Sequence, residues 1–139
     1  NKVFMLIRRK MISVDTITAC ATQQPGISRI TLTLREDNDD KALQLIKQME
    51  KLTEVISAKE LDVDQSFWRE VAIVKFEAGS EHLDRLDQSY NFEILDRQNH
   101  EVVVAQVAGT SLMIDNFMAE IGPGKIIEVA RSGFTAMEK

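Results

Sequence analysis

The apolar residues of this sequence set out one order of secondary-structure elements twice, and this repeat limits the folds that the chain can adopt. In the second half, stretches with a two-residue apolar period, typical of strands, alternate with stretches of helical period. The predicted order there is strand, helix, strand, strand, helix, strand. The first half has the same order from its first helix onward, without an initial strand.

The first half is predicted to contain two helices and three strands. The apolar positions of its first helix are Val3, Phe4, Leu6, Ile7 and Met11. From Val14 the β-branched content predicts a strand, and a second strand through Leu32 follows a turn at residues 23–26. N-cap candidates for the second helix are Asp37, Asn38 and Asp39. That helix has an apolar face formed by Ala42, Leu45, Ile46, Met49 and Leu52. Residues 55–61 are predicted to form a short strand.

The second half is predicted to open with a strand over residues 68–77, after a polar stretch at residues 62–66. A helix follows Gly79, with Ser80 as its expected cap. Its inward-facing residues are expected to be Leu83, Leu86 and Tyr90. Two strands then pair across a polar turn, and they are predicted at residues 92–96 and 102–108.

A second helix in this half is predicted after Gly109. Its buried stripe is expected to be Ile114, Phe117, Met118 and Ile121. The sequence Gly122-Pro123-Gly124 ends the helix, since glycine tolerates the backbone that terminates a helix and proline cannot continue it. A last strand is predicted at residues 125–130, and a loose tail is expected after Gly133.

The repeat predicts an α+β fold of two tandem ferredoxin-like βαββαβ units. The first is expected at residues 1–62 and the second at residues 68–134. Because the first unit has no initial strand in this sequence, and because Asn1 is not a start methionine, we expect the natural protein to carry that strand before residue 1.

Charge and composition exclude several classes of function. The net charge of −5, with acidic and basic residues interspersed, argues against nucleic-acid binding, which needs a cationic surface. No apolar run approaches the roughly 20 residues of a membrane span, and no signal peptide is visible. The single cysteine, Cys20, suits a reducing compartment, so a cytoplasmic location is expected.

Catalytic and metal-binding motifs are not found in the sequence. It contains no H-E-x-x-H, C-x-x-C or G-x-S-x-G motif and no phosphate-binding glycine loop. His82 and His100 fall at a helix start and a hairpin turn, where solvated histidines are the favoured interpretation. The expectation is therefore no catalytic residue and no metal site. Tandem open-sheet units without such groups indicate sensing, dimerisation or subunit contact.

Several segments, in order along the chain, resemble the small regulatory subunits of acetolactate synthase (acetohydroxyacid synthase), an ACT-domain family. Residues 1–18 are similar to the family pattern S-R-V-x-x-L-F-x-R-R-G-F-N-I-E-S-L-T. Residues 25–32 and 46–52 are similar to its S-R-M-T-I and K-Q-L-x-K-L segments. Residues 69–75 match R-E-x-A-L-I-K, and the two C-terminal signatures correspond to residues 107–110 and 126–133, the last being the most specific.

This resemblance implies an N-terminal ACT domain followed by a related C-terminal domain, and a regulatory function. The protein would bind a large catalytic subunit that uses thiamine diphosphate, Mg²⁺ and FAD, none of which would bind to this chain. It would raise the activity of that subunit and confer feedback inhibition by a branched-chain amino acid, with valine as the first candidate. Homodimerisation through the ACT domains is also implied.

The resemblance further implies an effector site at the interface between two ACT domains. The positions that correspond to it here are Asn1, Ser13 and Val14. Two positions depart from the family pattern, since its glycine is Met11 and its asparagine is Ser13. A serine hydroxyl donates and accepts but lacks the paired geometry of an amide, so the ligand would be held less completely.

Two other functions remain open from the sequence. A free-standing ACT-type amino-acid sensor would bind its ligand without an enzyme partner, and it would have no effect on acetolactate synthesis. A small enzyme on a ferredoxin-like scaffold is disfavoured, since it would need a pocket with a strongly perturbed titratable group. The surface that meets a catalytic subunit could be an exposed strand edge or residues 131–133.

Overall fold

The computed structural model describes residues 2–35 and 37–139 and divides into two compact units. The first comprises Asn1–Phe67 together with Ala136–Lys139, and the second comprises Trp68–Thr135. The chain therefore enters the second unit once and returns to the first at its last four residues. The predicted loose tail after Gly133 is wrong, because Thr135–Glu138 forms a strand, β7, in which Ala136 is buried.

The first unit contains two helices and a two-stranded antiparallel sheet. Helix α1 spans Lys2–Arg9, and α2 spans Asp39–Glu50. Strands β1 (Ser13–Ala21) and β2 (Ser28–Arg35) pair antiparallel, with an irregularity between Val14 and Thr16. The predicted Asn38 cap is confirmed, since the Asn38 side chain accepts a hydrogen bond from the Lys41 amide. The core of the unit comprises Leu6, Ile7, Ile12, Leu45 and Met49.

Two predictions for the first unit are wrong. Residues 55–61 form no strand. In the topology of the second unit the fourth strand pairs with the first. Within residues 2–35 and 37–139 no strand comes before α1, so this segment has no ladder partner among the described residues. Met11, predicted on the apolar face of the first helix, lies beyond its end and is 87% exposed.

The second unit contains a complete βαββαβ sequence. Its elements are β3 (Ser66–Glu77), α3 (Ser80–Ser89), β4 (Phe92–Gln98), β5 (Val102–Gly109), α4 (Ser111–Ile121) and β6 (Ile126–Arg131), the last preceded by a 3₁₀ turn at Pro123–Lys125. The strand order is β4-β5-β3-β6, with β7 pairing with β3 outside this order, and the four strands pair antiparallel. With β3 as the first strand, this is the order of a ferredoxin-like sheet.

Both helices of the second unit bury their apolar stripes. The core contains Ala72, Val74, Phe76, Leu83, Leu86, Val103, Ala105, Val107, Ile114, Phe117 and Ile121. The ring of Phe117 lies at its centre, with Phe76, Tyr90 and Phe92 at centroid distances of 5.3–6.2 Å. The predicted stripes of both helices are confirmed, with Tyr90 and Met118 only partly buried.

The starts of these two helices differ in a way that the sequence did not indicate. Ser80 is not the cap of α3, because Gly79 occupies the N-cap position and no side chain bonds there. Thr110 caps α4, and its hydroxyl accepts from the Met113 amide at 3.2 Å. Among the described residues, no helix is long and apolar enough to cross a membrane.

Candidate functional site

The turn between α1 and β1 places the predicted effector residues, and its geometry follows from how the helix ends. The Met11 amide donates to the Arg8 carbonyl at 3.1 Å, and the Ile12 amide donates to the Ile7 carbonyl at 3.4 Å. These two bonds form a Schellman motif, which requires a left-handed residue at the position of Met11. Met11 has a φ of 55°, a conformation that favours glycine. The fold therefore explains why the family pattern has glycine here.

Ser13 and Val14 begin β1 directly after this turn. Ser13 is exposed and pairs across the sheet with Arg35, whereas Val14 packs against the core of the first unit. Successive strand residues point to opposite faces, so these two side chains do not face one common site. Asn1, the third predicted residue, lies outside the described residues. The polar side chain that this segment offers to a ligand is the Ser13 hydroxyl.

A shallow depression lies along the outer face of α1. It has a volume of about 200 Å³ and is lined by Lys2, Met5, Leu6, Arg9 and Leu52. Lys2, one of the lining residues, is paired with Glu54 at 2.6 Å. The hydrogen bond from Lys2 lowers the pKa of the Glu54 carboxyl below its ordinary value near 4.5. Neither Ser13 nor Val14 lines this depression, so the structure does not join it to the predicted effector residues.

A buried ion pair organises the second unit. The Glu70 carboxylate, 3% exposed, accepts from Arg131 Nε at 3.1 Å and from Nη2 at 2.8 Å. Arg131 also bonds Asp115 Oδ1 at 2.6 Å and Ser111 Oγ at 3.1 Å, both on α4. A bidentate pair of this kind fixes planar geometry as well as charge. It therefore locks β3, β6 and the start of α4 together.

The electrostatics of Arg131 follow from these contacts. The hydrogen bonds that Arg131 donates to Glu70, opposed by partial burial and aided by Asp115, raise the pKa of the Arg131 guanidinium above its ordinary value. The side chain is therefore charged throughout the pH range in which proteins fold. Residues 131–133 were predicted as a candidate surface for a partner, but the guanidinium of Arg131 is engaged within its own unit.

The segment after Arg131 is held by the same part of β3. The Ser132 amide donates to the Val71 carbonyl at 2.9 Å, and the Val71 amide donates to Ser132 Oγ at 3.0 Å. The Gly133 amide donates to Glu70 Oε1 at 3.3 Å. The R-E motif at residues 69–70 and the R-S-G motif at residues 131–133 therefore meet in space. Sequence reasoning missed this contact, although Glu70 is in phase with the buried positions of β3.

The remaining candidates carry no catalytic arrangement. His82 Nε2 lies 3.3 Å from the Glu120 carbonyl, and His100 lies in the hairpin turn with a φ of 62°. Within residues 2–35 and 37–139, no group of three His, Cys, Asp or Glu side chains could hold a metal ion. Cys20 is an exposed free thiol on β1. Among the described residues, the site therefore consists of the structural Glu70–Arg131 pair and the exposed Ser13 hydroxyl.

Comparison with known proteins shows that both units are similar to known protein families. A family model described as small subunit of acetolactate synthase matches residues 69–139. A second model, AHAS small subunit-like ACT domain, matches residues 1–57. The two matches follow the order in which the sequence motifs occur along the chain.

Individual relatives extend over the whole chain. The acetolactate synthase isozyme 3 small subunit of Escherichia coli (strain K12) is 31% identical over 144 residues, covering 100% of this chain and 86% of that protein. The probable acetolactate synthase small subunit of Methanothermobacter thermautotrophicus is 32% identical and covers 100% and 84%. The crystal structure of the acetolactate synthase small subunit from Thermotoga maritima matches with a TM-score of 0.89 at 25% identity, over 99% of this chain and 87% of that chain. The predicted architecture of two tandem ferredoxin-like units is confirmed by this match.

Proposed function

The chain belongs to the acetolactate synthase small-subunit family, and on that premise we propose that it is the non-catalytic regulatory subunit of that enzyme. In this role it binds the large catalytic subunit, raises its rate of acetolactate formation and makes that rate sensitive to a branched-chain amino acid. Valine is the first candidate for the effector. The pathway served is the biosynthesis of valine, leucine and isoleucine.

The observation that carries this proposal is that both parts of the family architecture match in order along one chain. A regulatory-domain model matches residues 1–57 and a small-subunit model matches residues 69–139. We therefore assign an ACT regulatory domain to residues 1–62 and the C-terminal domain of the small subunit to residues 68–134.

The chemistry of the reaction is assigned to the partner. Thiamine diphosphate, Mg²⁺ and FAD are expected in the large subunit, and this chain is expected to hold no cofactor. The described residues support that assignment because their charged side chains are scattered on surfaces or engaged in structural pairs. Glu70, the buried carboxylate of the second unit, has its oxygens occupied by Arg131 and Gly133.

The effector is proposed to bind where two copies of the first unit meet, at a homodimer interface. Asn1, Ser13 and Val14 are the residues proposed to touch it. Ser13 would contribute its exposed hydroxyl, and Val14 its backbone, since its side chain packs inward. An effector that stabilises one arrangement of the dimer changes the affinity or activity of the partner by a coupling of about 1–3 kcal/mol.

The proposal is tested by assaying the cognate large subunit with and without this protein and then adding valine. We expect the rate of acetolactate formation to rise with the protein and to fall again with valine. A rise that valine, leucine and isoleucine all leave unchanged would remove the feedback assignment while keeping the subunit role. No rise would favour the free-standing amino-acid sensor, whose self-association depends on the ligand.

The role of Ser13 is tested with a matched pair of variants. Ser13→Ala removes the exposed hydroxyl at one end of the β1–β2 sheet, and Ser28→Ala removes one at the other end, where Ser28 pairs with Ala21. We expect Ser13→Ala to raise the valine concentration for half-inhibition about fivefold or more, the equivalent of one lost hydrogen bond. Ser28→Ala should leave it unchanged, and equal responses would exclude Ser13 from the site.

A further inference from the structure

One face of the four-stranded sheet in the second unit carries no helix of that unit among the described residues. The other face carries Ala72, Val74 and Phe76 of β3, which are buried together with the apolar stripes of α3 and α4. Because successive strand residues point to opposite faces, Val71 and Ile73 lie on the uncovered side of β3. They are 39% and 42% exposed. This uncovered side of the sheet, centred on Val71 and Ile73, is called here the open face.

The ladder register shows which residues surround Val71 and Ile73 on the open face. Val71 is paired with Ala108 of β5, and Ile73 lies between Gln106 of β5 and Ala130 of β6. Residues paired in an antiparallel ladder point to the same face, with Cβ atoms about 4.5–5.5 Å apart. The apolar side chains therefore form one continuous patch, and Gln106 is the polar residue within it.

Charged side chains border this patch, and most of them are acidic. The register places Glu93 and Asp96 of β4 beside residues of β5 that point outward, and it places Glu128 of β6 beside Lys75 of β3. Glu77 follows Lys75 on the same side of β3. All four carboxylates are exposed, whereas Lys75 is half-buried. The ladder of the open face thus has four anionic groups around its apolar centre and one cationic group.

We infer that the open face is a docking surface for the large catalytic subunit, and that it takes an apolar patch bordered by Lys and Arg side chains. The inference rests on the proposed function, which supplies this partner. An apolar centre with a polar, solvent-accessible rim is the usual anatomy of a protein interface. An acidic rim selects a cationic one, since complementary charges steer association and like charges oppose it.

A second copy of this chain fits the open face less well, first because of charge. Two open faces brought together would set one acidic rim against another, which is unfavourable. Arg69 also lies on this side of β3, but it is beyond the ladder with β5, which ends at Glu70. Even with Arg69 counted, the carboxylates of the open face outnumber its cations.

The area of the open face also argues against a homodimer built on it alone. It measures about 19 Å across four strands and about 20 Å along six residues, or roughly 400 Å². Two such faces would bury about 800 Å², less than the roughly 1,000 Å² expected of a specific interface. The open face is therefore suited to be one part of a larger contact with the large subunit.

The affinity of the full chain for the large subunit tests the apolar centre. Ile73→Asp puts a carboxylate there, and Leu112→Asp is the control, since Leu112 is an exposed apolar residue of α4. We expect Ile73→Asp to weaken the affinity, measured by analytical ultracentrifugation, about tenfold or more, as for a residue at the centre of an interface. Leu112→Asp should stay within about twofold. Equal affinities in the two variants would overturn the inference.

The rate of association tests the acidic rim. Glu93→Lys and Glu81→Lys change the net charge equally, but Glu81 lies on α3, which packs on the covered face. We expect Glu93→Lys to slow association about threefold or more at low salt and to weaken its salt dependence, whereas Glu81→Lys does neither. The same change in both variants, or none in Glu93→Lys, would contradict a cationic partner.

Thiol labelling identifies what covers the open face, even where a charged substitution disturbs the fold. In a Cys20→Ser background, Ile73→Cys reports on the open face and Leu112→Cys on α4. We expect the large subunit to slow the labelling of Ile73→Cys about fivefold or more and to leave Leu112→Cys unchanged. Slowing that depends on the concentration of this chain alone would identify a second copy and overturn the inference. Labelling that is equally slow at every concentration without the large subunit would show that the chain covers this face itself, which also overturns it.

The outcomes separate this inference from the proposed function. If the unmodified chain neither binds nor activates the large subunit, both fail. If the unmodified chain activates the large subunit and Ile73→Asp does so at the same half-saturating concentration, the proposed function stands and this inference alone fails.

Discussion

Among the described residues, the two units differ in how many strands are paired and how many apolar side chains are buried. The second has four paired strands, two helices packed on one face and twelve described residues in its core cluster. The first has two paired strands and a cluster of five. Because the hydrophobic contribution scales with the apolar area removed from water, the described part of the first unit gains less from burial than the second unit does. This difference suits a regulatory unit, since elements that move are drawn from the least stable parts of a fold.

The ion pairs follow the same division. In the first unit, Lys2–Glu54 and Arg35–Asp15 are exposed pairs, which contribute little to stability because water screens them. In the second, Arg131 meets a carboxylate that is almost fully buried. A buried pair contributes mainly by fixing one geometry, since its removal leaves a desolvated charge unpaired. The second unit is thus fixed in shape, while the first keeps solvated contacts that can rearrange.

Truncating the central ring of the second unit should have the largest effect on stability. Phe117→Ala removes the ring that contacts Phe76, Tyr90 and Phe92, and we expect a loss of about 3–5 kcal/mol. Urea unfolding followed by far-UV circular dichroism measures it. Leu112→Ala, on the exposed face of the same helix, is the control and should cost under about 0.5 kcal/mol. A Phe117→Ala cost as small as this control would show that the core is not centred on this ring.

Breaking the buried pair should be next in size. Glu70→Ala leaves Arg131 with Asp115 as its remaining carboxylate partner, and we expect a loss of about 3 kcal/mol, the low end for a buried pair. The exposed equivalent in the first unit, Asp15→Ala, should cost under about 1 kcal/mol. Equal losses in the two variants, measured by urea unfolding, would remove the distinction between the units.

Met11→Gly should stabilise the protein by about 1 kcal/mol. Glycine adopts a left-handed backbone without the steric strain that the methionine side chain causes there. The gain should be confined to the transition of the first unit, which amide exchange of α1 and β1 resolves. Gly122→Ala is the converse test in the second unit. It should lower the stability of that unit, since Gly122 has a φ of 97° and ends α4. A loss of stability in Met11→Gly would contradict the assigned helix end.

The smallest expected effect is the pH dependence of the Lys2–Glu54 pair. The pKa of the Glu54 carboxyl is lowered in the folded protein. The pair therefore contributes to stability at a pH above the ordinary pKa near 4.5, and this contribution is lost as the pH falls through the lowered pKa. Glu54→Gln should therefore reduce the difference in stability between pH 6 and pH 3. Glu60→Gln, an exposed neighbour, serves as the control. An unchanged pH profile in Glu54→Gln would show that the pair contributes nothing.

The second unit was predictable from its sequence because its alternation is regular. β3 buries every second residue from Ala72 to Phe76. The buried residues of α3 and α4 lie at the positions that the helical spacing of apolar residues predicts. The failures occurred where a local pattern depends on a distant partner. Residues 55–61 have strand-like composition, but a ladder needs a neighbour. Ala136 is in a short apolar segment that becomes a strand because it pairs with β3, which is distant in sequence.

The sites were less predictable than the fold. The spacing of Arg69-Glu70 and Arg131-Ser132-Gly133 gives no sign that these motifs meet, because sheet neighbours are set by topology and not by sequence distance. The left-handed turn at Met11 was also concealed, since methionine is an uncommon residue for that conformation. The periodicity of β3 was a usable signal for Glu70, because a charged residue on the buried face of a strand needs a partner.

The most direct test of a fixed second unit and a responsive first unit is amide hydrogen exchange of the full chain bound to its large subunit, with and without valine. Valine is predicted to slow exchange in residues 13–35 and to leave the core amides of β3 and β5 unchanged. Protection confined to the core of the second unit, with residues 13–35 unaffected, would contradict it.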